Sequence, residues 1–234
     1  MALADGRALP ASVLAAEAGV SAPAMSSHLG KLLSAGLVTA ERSGRNRYYR
    51  LADHQVMDAL EAMARLAPTT PVTSLRQGTR AAALRRARTC YDHLAGRLGV
   101  DITEGLLASG ALVAKDGRAD IDRRAGQHIS AVVPRGQEPF ELGPKAGPVL
   151  ERIGVCLDDV RERDSRRPLL RFCLDWTEQR YHLAGLLGAE VCSALTGQGW
   201  LQRMPRQRAV RLTPAGRGAL TTALGTIRDD AWRG

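Results

Sequence analysis

Five side chains between residues 90 and 182 have the chemistry to hold a metal ion or respond to oxidation: Cys90, His93, Cys173, Glu178 and His182. Cys90 and His93 stand three residues apart, and Glu178 and His182 four apart, so each pair shares a face if its segment is helical. Thiolate, imidazole and carboxylate together suit a soft or borderline ion. A disulfide would instead require Cys90 and Cys173 within about 7 Å, Cα to Cα. The ordinary alternative is that the cysteines pack as small apolar residues, each histidine finds one hydrogen bond, and Glu178 pairs with Arg171 or Arg180. These five residues are therefore a candidate effector site, with no metal assigned. Catalysis has no comparable support. The chain lacks a Gly-rich phosphate loop, a Gly-x-Ser-x-Gly elbow and a His-Glu-x-x-His helix, which argues against an enzyme and calls for no cofactor.

A second set of residues suits a nucleic acid. Met25, Leu29, Leu32 and Leu33 repeat at helical spacing, which leaves Ser26, Ser27, Gly30 and Lys31 on the opposite face with His28 beside them. Ser and Gly are poor helix formers, so an arbitrary solvated face would not select them. Short hydroxyls, an imidazole and small side chains let a helix approach base edges in a major groove. The basic segment that follows, with Arg42, Arg45, Asn46, Arg47 and Tyr48, suits phosphate or minor-groove contact.

Several elements must position these residues. Pro10 suits the start of a helix that Gly19 ends; Ser21 is an N-cap, with Ala22 and Pro23 in the first turn of a second helix that Gly36 stops. Residues 37–41 and 47–51 read as two short strands around Ser43-Gly44-Arg45-Asn46. Asp53 then caps a further helix carrying Val56, Leu60, Met63 and Ala67, ended by Pro68.

The bounds agree. The 234 residues are long enough for two domains, and 44% apolar with 24% charged residues is a globular composition. A net charge of +9 favours a polyanionic partner without choosing one. Arginine outnumbers lysine thirty to three, a bias that GC-rich coding also produces, so charge alone carries little weight. No leader-like or membrane-length apolar run is present, and the four cysteines are widely spaced, which together suggest a cytoplasmic chain with reduced thiols and no membrane partner.

Leu-Ala-Ala-Glu-Ala-Gly-Val-Ser-Ala-Pro-Ala-Met-Ser-Ser-His-Leu-Gly-Lys-Leu from Leu14, together with Ala-Gly-Leu-Val and Gly-Arg-Asn-Arg-Tyr-Tyr-Arg-Leu, resembles the ArsR/SmtB family of winged helix-turn-helix repressors. The resemblance spans about a quarter of the chain. It implies a homodimer on double-stranded DNA, released by an effector that is unknown here. The recognition helix would use Ser21, Ala22, Ser26, Ser27, His28 and Lys31, and the wing Arg42, Arg45, Asn46, Arg47 and Tyr48. The family's helices ahead of Ala8 are missing, which suggests a start assigned downstream. Its metal-site positions are also vacant of ligands, since no cysteine precedes Cys90 and Asp53 is followed two residues on by Gln55. The rival reading is a winged-helix protein-interaction module, which would not need Arg45 or Arg47.

Beyond a linker at 68–75, Arg76 to Leu98 reads as one long basic helix, with Leu84, Ala87, Tyr91, Leu94 and Leu98 on one face. Leu32 to Val38 is echoed at 106–113 and 194–201, and Tyr49 to Asp53 at 140–144 and 210–214. The last echo carries Arg203, Arg206, Arg208, Arg211 and Arg217, which permit a second phosphate contact, although Glu190 and Val191 give its helix a poor reading face. A structural or regulatory copy is favoured. The expected fold is mainly α with small β-hairpins: a winged helix-turn-helix domain at 1–67, then a helical, winged-helix-like regulatory or dimerisation domain at 76–234.

Overall fold

The computed structural model describes residues 2–3, 7–44, 46–53, 55–57, 59–60, 63, 75–115, 136–204, 208–225 and 227, with the side chains of 75–78 and 80 outside that description. The first unit comprises β1 (Leu9–Pro10), α1 (Ala11–Ala18), α2 (Ala22–Ser34), β2 (Val38–Ser43) and β3 (Asn46–Leu51). Pro10 is the N-cap of α1 at φ −74°, which its ring already imposes, and Gly19 closes the helix in the left-handed region at φ 66°. The Ser21 hydroxyl accepts a hydrogen bond from the Ala24 N–H at 3.4 Å, capping α2. The strands form one antiparallel sheet in the order β1-β3-β2, with Val38 opposite Leu51. Asp53 Oδ1 accepts from the N–H groups of Gln55 and Val56 at 2.8 and 3.0 Å, which fits its expected capping role. Leu14, Met25, Leu29, Val38, Leu51 and Met57 fill the core between these elements.

The second half is built differently from expectation. α3 (Leu75–Arg86) stops short, and β4 (Arg88–Cys90) with β5 (His93–Ala95) forms a hairpin where a continuous helix was anticipated. Two backbone positions break the helix. Tyr91 adopts φ 59°, and Gly96 adopts φ 75° with its α-carbon so close to α3 that a Cβ would lie 2.8 Å from the Arg85 carbonyl oxygen. The residues read as one helical face divide: Ala87, Leu94 and Leu98 join the core of the second half, while Tyr91 packs against the core of the first unit.

After this hairpin come α4 (Gly96–Ala108), β6 (Leu112–Ala114), β7 (Phe140–Leu142) and α5 (Ala146–Glu151). α6 (Leu157–Glu162) leads into a second run of the same order: β8 (Arg171–Leu174), β9 (Tyr181–Ala184), α7 (Gly185–Gly197), β10 (Leu201–Arg203), β11 (Val210–Leu212) and α8 (Pro214–Leu224). The echoes at 106–113 and 194–201 thus end α4 and α7, and those at 140–144 and 210–214 lead into α5 and α8. The two runs embrace each other: α4 packs on β9, and α7 packs on β5. One core joins them through Leu98, Leu106, Phe172, Leu187, Leu195 and Leu220, all nearly sealed from solvent.

The mainly α fold, with its winged second domain, is therefore corrected. About 47% of the described residues are helical and 23% lie in strands, distributed over five small antiparallel sheets. The hairpins β4–β5 and β8–β9 account for the difference, and they carry Cys90, His93, Cys173 and His182. The linker expected at 68–75 lies outside the described residues except for Leu75, which opens α3. Among the described residues no helix is long and apolar enough to cross a membrane.

Candidate functional site

The first unit exposes the face that the residue spacing singled out. With Met25 and Leu29 buried, Ser26, Ser27, His28, Gly30 and Lys31 are exposed along α2, and Ser21 and Ala22 are exposed at its start. Helical periodicity explains this division, because the apolar side chains recur every three or four residues. The neighbouring hairpin exposes Arg42, Asn46 and Arg47 and half-buries Tyr48, while Arg45 lies outside the described residues. Arg42 faces Arg47 across the ladder and Ser43 faces Asn46, so two arginines are cross-strand neighbours near the turn. Like charges directly opposite repel. The Arg47 guanidinium lies 5.5 Å from the centre of the Tyr49 ring, while Arg50 is paired with Glu41.

The second cluster is buried. Cys90 and His93 are not helix neighbours but cross-strand partners in β4–β5, and Cys173 and His182 hold the corresponding positions in β8–β9. This corrects the helical placement of all four while bringing the two histidines together. His93 Nε2 and His182 Nε2 are 3.2 Å apart, and Cys90 Sγ joins them in a group whose ligand atoms lie within 4.8 Å of one another. Cys173 lines a small cavity, about 20 Å³, with Cys90, His93 and Met57. Glu178 is not in the group: it sits in the β8–β9 turn, 3.4 Å from the guanidinium of Arg97.

Two aspartates stand behind the histidines. Asp92 Oδ1 is 3.4 Å from His93 Nδ1, and Asp175 Oδ2 is 3.5 Å from His182 Nδ1. Each aspartate is held by an arginine from the other repeat, Asp92 by Arg167 at 2.5 Å and Asp175 by Arg88 at 2.9 Å. Burial pushes the Asp92 carboxyl upward, but hydrogen bonds and charge from His93 and Arg167 outweigh it and bring the pKa down to about 2. Asp175 follows the same pattern, with burial overcome by Arg88, His182 and hydrogen bonds from Thr177 and Gly96, so its carboxyl is held well below the ordinary range. His182 is lowered to about 3, chiefly by burial, against the opposing pull of Asp175.

Arg88, Asp92, Arg167 and Asp175 were not singled out by the residue reading, yet a signal was available. His-Leu-Ala-Gly-x-Leu-Gly occurs at 93–99 and again at 182–188, and Cys-x-Asp precedes each copy at 90–92 and 173–175. The glycines have structural reasons. A Cβ on Gly99 would fall 2.5 Å from the Leu94 carbonyl oxygen and on Gly188 2.6 Å from that of Leu183, so both helices press against the strand before them.

The basic residues of the last echo scatter. Arg208 is buried and its carbonyl oxygen accepts from the Thr89 N–H at 2.9 Å, Arg206 lies outside the described residues, and Arg211 and Arg217 line an open groove with Arg86.

Over 217 residues, amounting to 93% of this chain and 86% of the relative, the sequence is 35% identical to YdfF of Bacillus subtilis (strain 168), named an uncharacterized HTH-type transcriptional regulator. The chain belongs to this family of HTH-type transcriptional regulators. No protein-family model and no solved structure matches it. Because the similarity covers nearly the whole chain, it takes in both the exposed helix face and the duplicated half. Membership sets the chain among DNA-binding regulators of transcription.

Proposed function

We propose that this regulator is a sequence-specific reader of double-stranded DNA, acting in the cytoplasm as a homodimeric repressor of the ArsR/SmtB type that an effector releases. α2 enters the major groove, where Ser26, Ser27, His28 and Lys31 meet base edges and Ser21 and Ala22 approach the backbone. The β2–β3 hairpin lies along the adjacent phosphates through Arg42, Arg45, Asn46, Arg47 and Tyr48. The observation that carries this reading is the division of α2: Met25 and Leu29 are buried and Leu32 and Leu33 half-buried, while Ser26, Ser27, His28 and Lys31 are exposed beside a basic hairpin. A homodimer is supported by an apolar groove of about 290 Å³ lined by Leu3, Leu14, Leu32, Leu37 and Val56, with Leu37 41% exposed. The residues from 76 onward serve regulation or dimerisation.

The test is a titration of the full chain against selected and scrambled duplexes at several salt concentrations. The expected result is a preferred sequence, with affinity falling log-linearly in salt at a slope of about 0.9 per phosphate contact. Arg47→Ala lowers that slope by about one contact, and Ser26→Ala or His28→Ala changes base preference by about 1–3 kcal/mol per lost contact. A folded protein that ignores every duplex at low salt overturns the reading, and the exposed face then belongs to a protein partner.

A further inference from the structure

The two repeats bring Cys90, His93 and His182 to one buried point, and the two imidazoles meet there in an unusual way. Each Nδ1 faces an aspartate, Asp92 at 3.4 Å and Asp175 at 3.5 Å. His182 Nδ1 makes no hydrogen bond, so Asp175 stands beside that ring without fixing its proton. The two Nε2 atoms meet at 3.2 Å, a hydrogen-bond distance at which one ring donates and the other accepts when no ion is bound. A cation placed there takes the position of that shared proton and meets a lone pair from each ring. Two imidazole nitrogens bound to one tetrahedral zinc, each at about 2.0–2.1 Å, stand about 3.3 Å apart. The observed 3.2 Å separation is close to that value.

The sulfur completes the argument. Cys90 is the cross-strand partner of His93, so the same hairpin delivers thiol and imidazole, and all three side chains are buried. Cys173 lines the adjoining cavity as a further thiol, and Met57 closes it with a thioether. Nitrogen and sulfur donors with no carboxylate among them select zinc and copper over magnesium or calcium. The aspartates form the outer shell that orients metal-bound histidines, and Arg167 and Arg88 hold those aspartates in turn.

We propose that Cys90, His93 and His182 bind one thiophilic transition-metal ion of the zinc and copper class at the seam between the two repeats. On binding, the Cys90 thiol releases its proton to solvent and the two imidazoles bind as neutral ligands. The site also touches the first unit. Met57 belongs to the core of the helix pair and lines the same cavity as Cys90, so filling the site presses on the unit that carries α2. The ion is thereby the effector of the regulator, a step that rests on the proposed DNA-binding function; the metal site itself does not.

Cobalt(II), then zinc, is titrated into the reduced full-length protein. The expected result is one equivalent bound, with thiolate-to-cobalt charge transfer and ligand-field bands of a four-coordinate ion, displaced by zinc. Cys90→Ser removes the charge-transfer band and Cys156→Ser leaves it. Retained far-UV dichroism shows that each variant is folded. If Cys90→Ser fails to fold, X-ray absorption at the zinc edge of the loaded wild type replaces it: sulfur and imidazole nitrogen are expected as neighbours of the ion. Failure of the folded wild type to bind one equivalent, a charge-transfer band that survives in folded Cys90→Ser, or a zinc ion surrounded by oxygen without sulfur overturns the site. The effector role is read from DNA affinity with and without zinc, expected to differ by about 5- to 150-fold. Equal affinity with the metal bound overturns the effector role alone, whereas absence of DNA binding in both states, with metal bound, overturns the DNA-binding reading instead.

Discussion

Arg88 and Asp175, one from each repeat, form an ion pair at 2.9 Å with both side chains fully enclosed. Neither charge depends on the other alone. Arg88 also donates to the Leu84 carbonyl oxygen and to Thr177 Oγ1, and its guanidinium lies 4.7 Å from the centre of the Trp176 ring. Asp175 accepts from the Gly96 N–H at 2.6 Å and from the Thr177 hydroxyl at 2.7 Å. Removing one partner strands a buried charge, so Arg88→Met is expected to destabilise the protein by about 3–5 kcal/mol. The double variant Arg88→Met with Asp175→Leu recovers much of that loss, since neither charge is then buried. Urea unfolding of the single and double variants measures both numbers, and a neutral Arg88→Met contradicts the account.

The glycines at 99 and 188 set how closely each helix approaches its own hairpin. A Cβ at Gly188 would stand 2.6 Å from the Leu183 carbonyl oxygen and 3.3 Å from the Cβ of His93. Backbone cannot give way as a flexible side chain can, so Gly188→Ala forces α7 outward and is expected to cost about 1–3 kcal/mol. Thermal unfolding reads the loss. The same substitution at Gly197, where a Cβ meets nothing within 4 Å, serves as the control and is expected to leave the melting temperature unreduced.

How legible all this was depended on the kind of signal. Caps and periodicity are local, so Pro10, Gly19, Ser21 and Asp53 marked element ends correctly, and the spacing of Met25 and Leu29 revealed which face of α2 is exposed. The hairpin at 88–95 was not legible by those means. Its strands are three residues long, too short for an alternation to show, and the left-handed residue at its turn is a tyrosine rather than glycine or asparagine. The apolar stripe across 84–98 therefore mimicked a helix. The pairing of His93 with His182 is non-local, and only the repeated His-Leu-Ala-Gly-x-Leu-Gly pointed to it. Cys90, His93 and His182 were singled out by their chemistry even though the elements that carry them were misassigned. Glu178 was included on helical spacing, and it leaves the group because its segment is a turn.

Cysteine reactivity separates the chemical environments of the thiols. Burial raises the pKa of the Cys192 thiol to about 11, against a weaker opposing influence of Arg203, whereas Cys156 is exposed. The thiolate is the nucleophile, so at pH 8 very little Cys192 is reactive and its protein environment also blocks the reagent. Iodoacetamide is expected to modify Cys156 in the native protein and to reach Cys192 only after denaturation. Peptide mapping after timed alkylation checks this, and rapid native labelling of Cys192 would show that α7 does not pack as described.

Gly30 separates stability from recognition. It lies inside α2 on the exposed face, and a Cβ there would meet nothing within 4 Å. In the free protein Gly30→Ala removes the entropic disadvantage of glycine in a helix interior, so stability is expected to rise by about 0.5–1 kcal/mol. In the proposed complex the new methyl group would project between His28 and Lys31 from the face assigned to the base edges and hold the helix away from them. DNA affinity is therefore expected to fall while the melting temperature rises, opposite signs that a general folding defect cannot produce. Anisotropy titration with a selected duplex and a thermal melt of the same preparation read the two effects. Affinity unchanged by Gly30→Ala, with the stability gain present, would move the DNA contact off this face of α2.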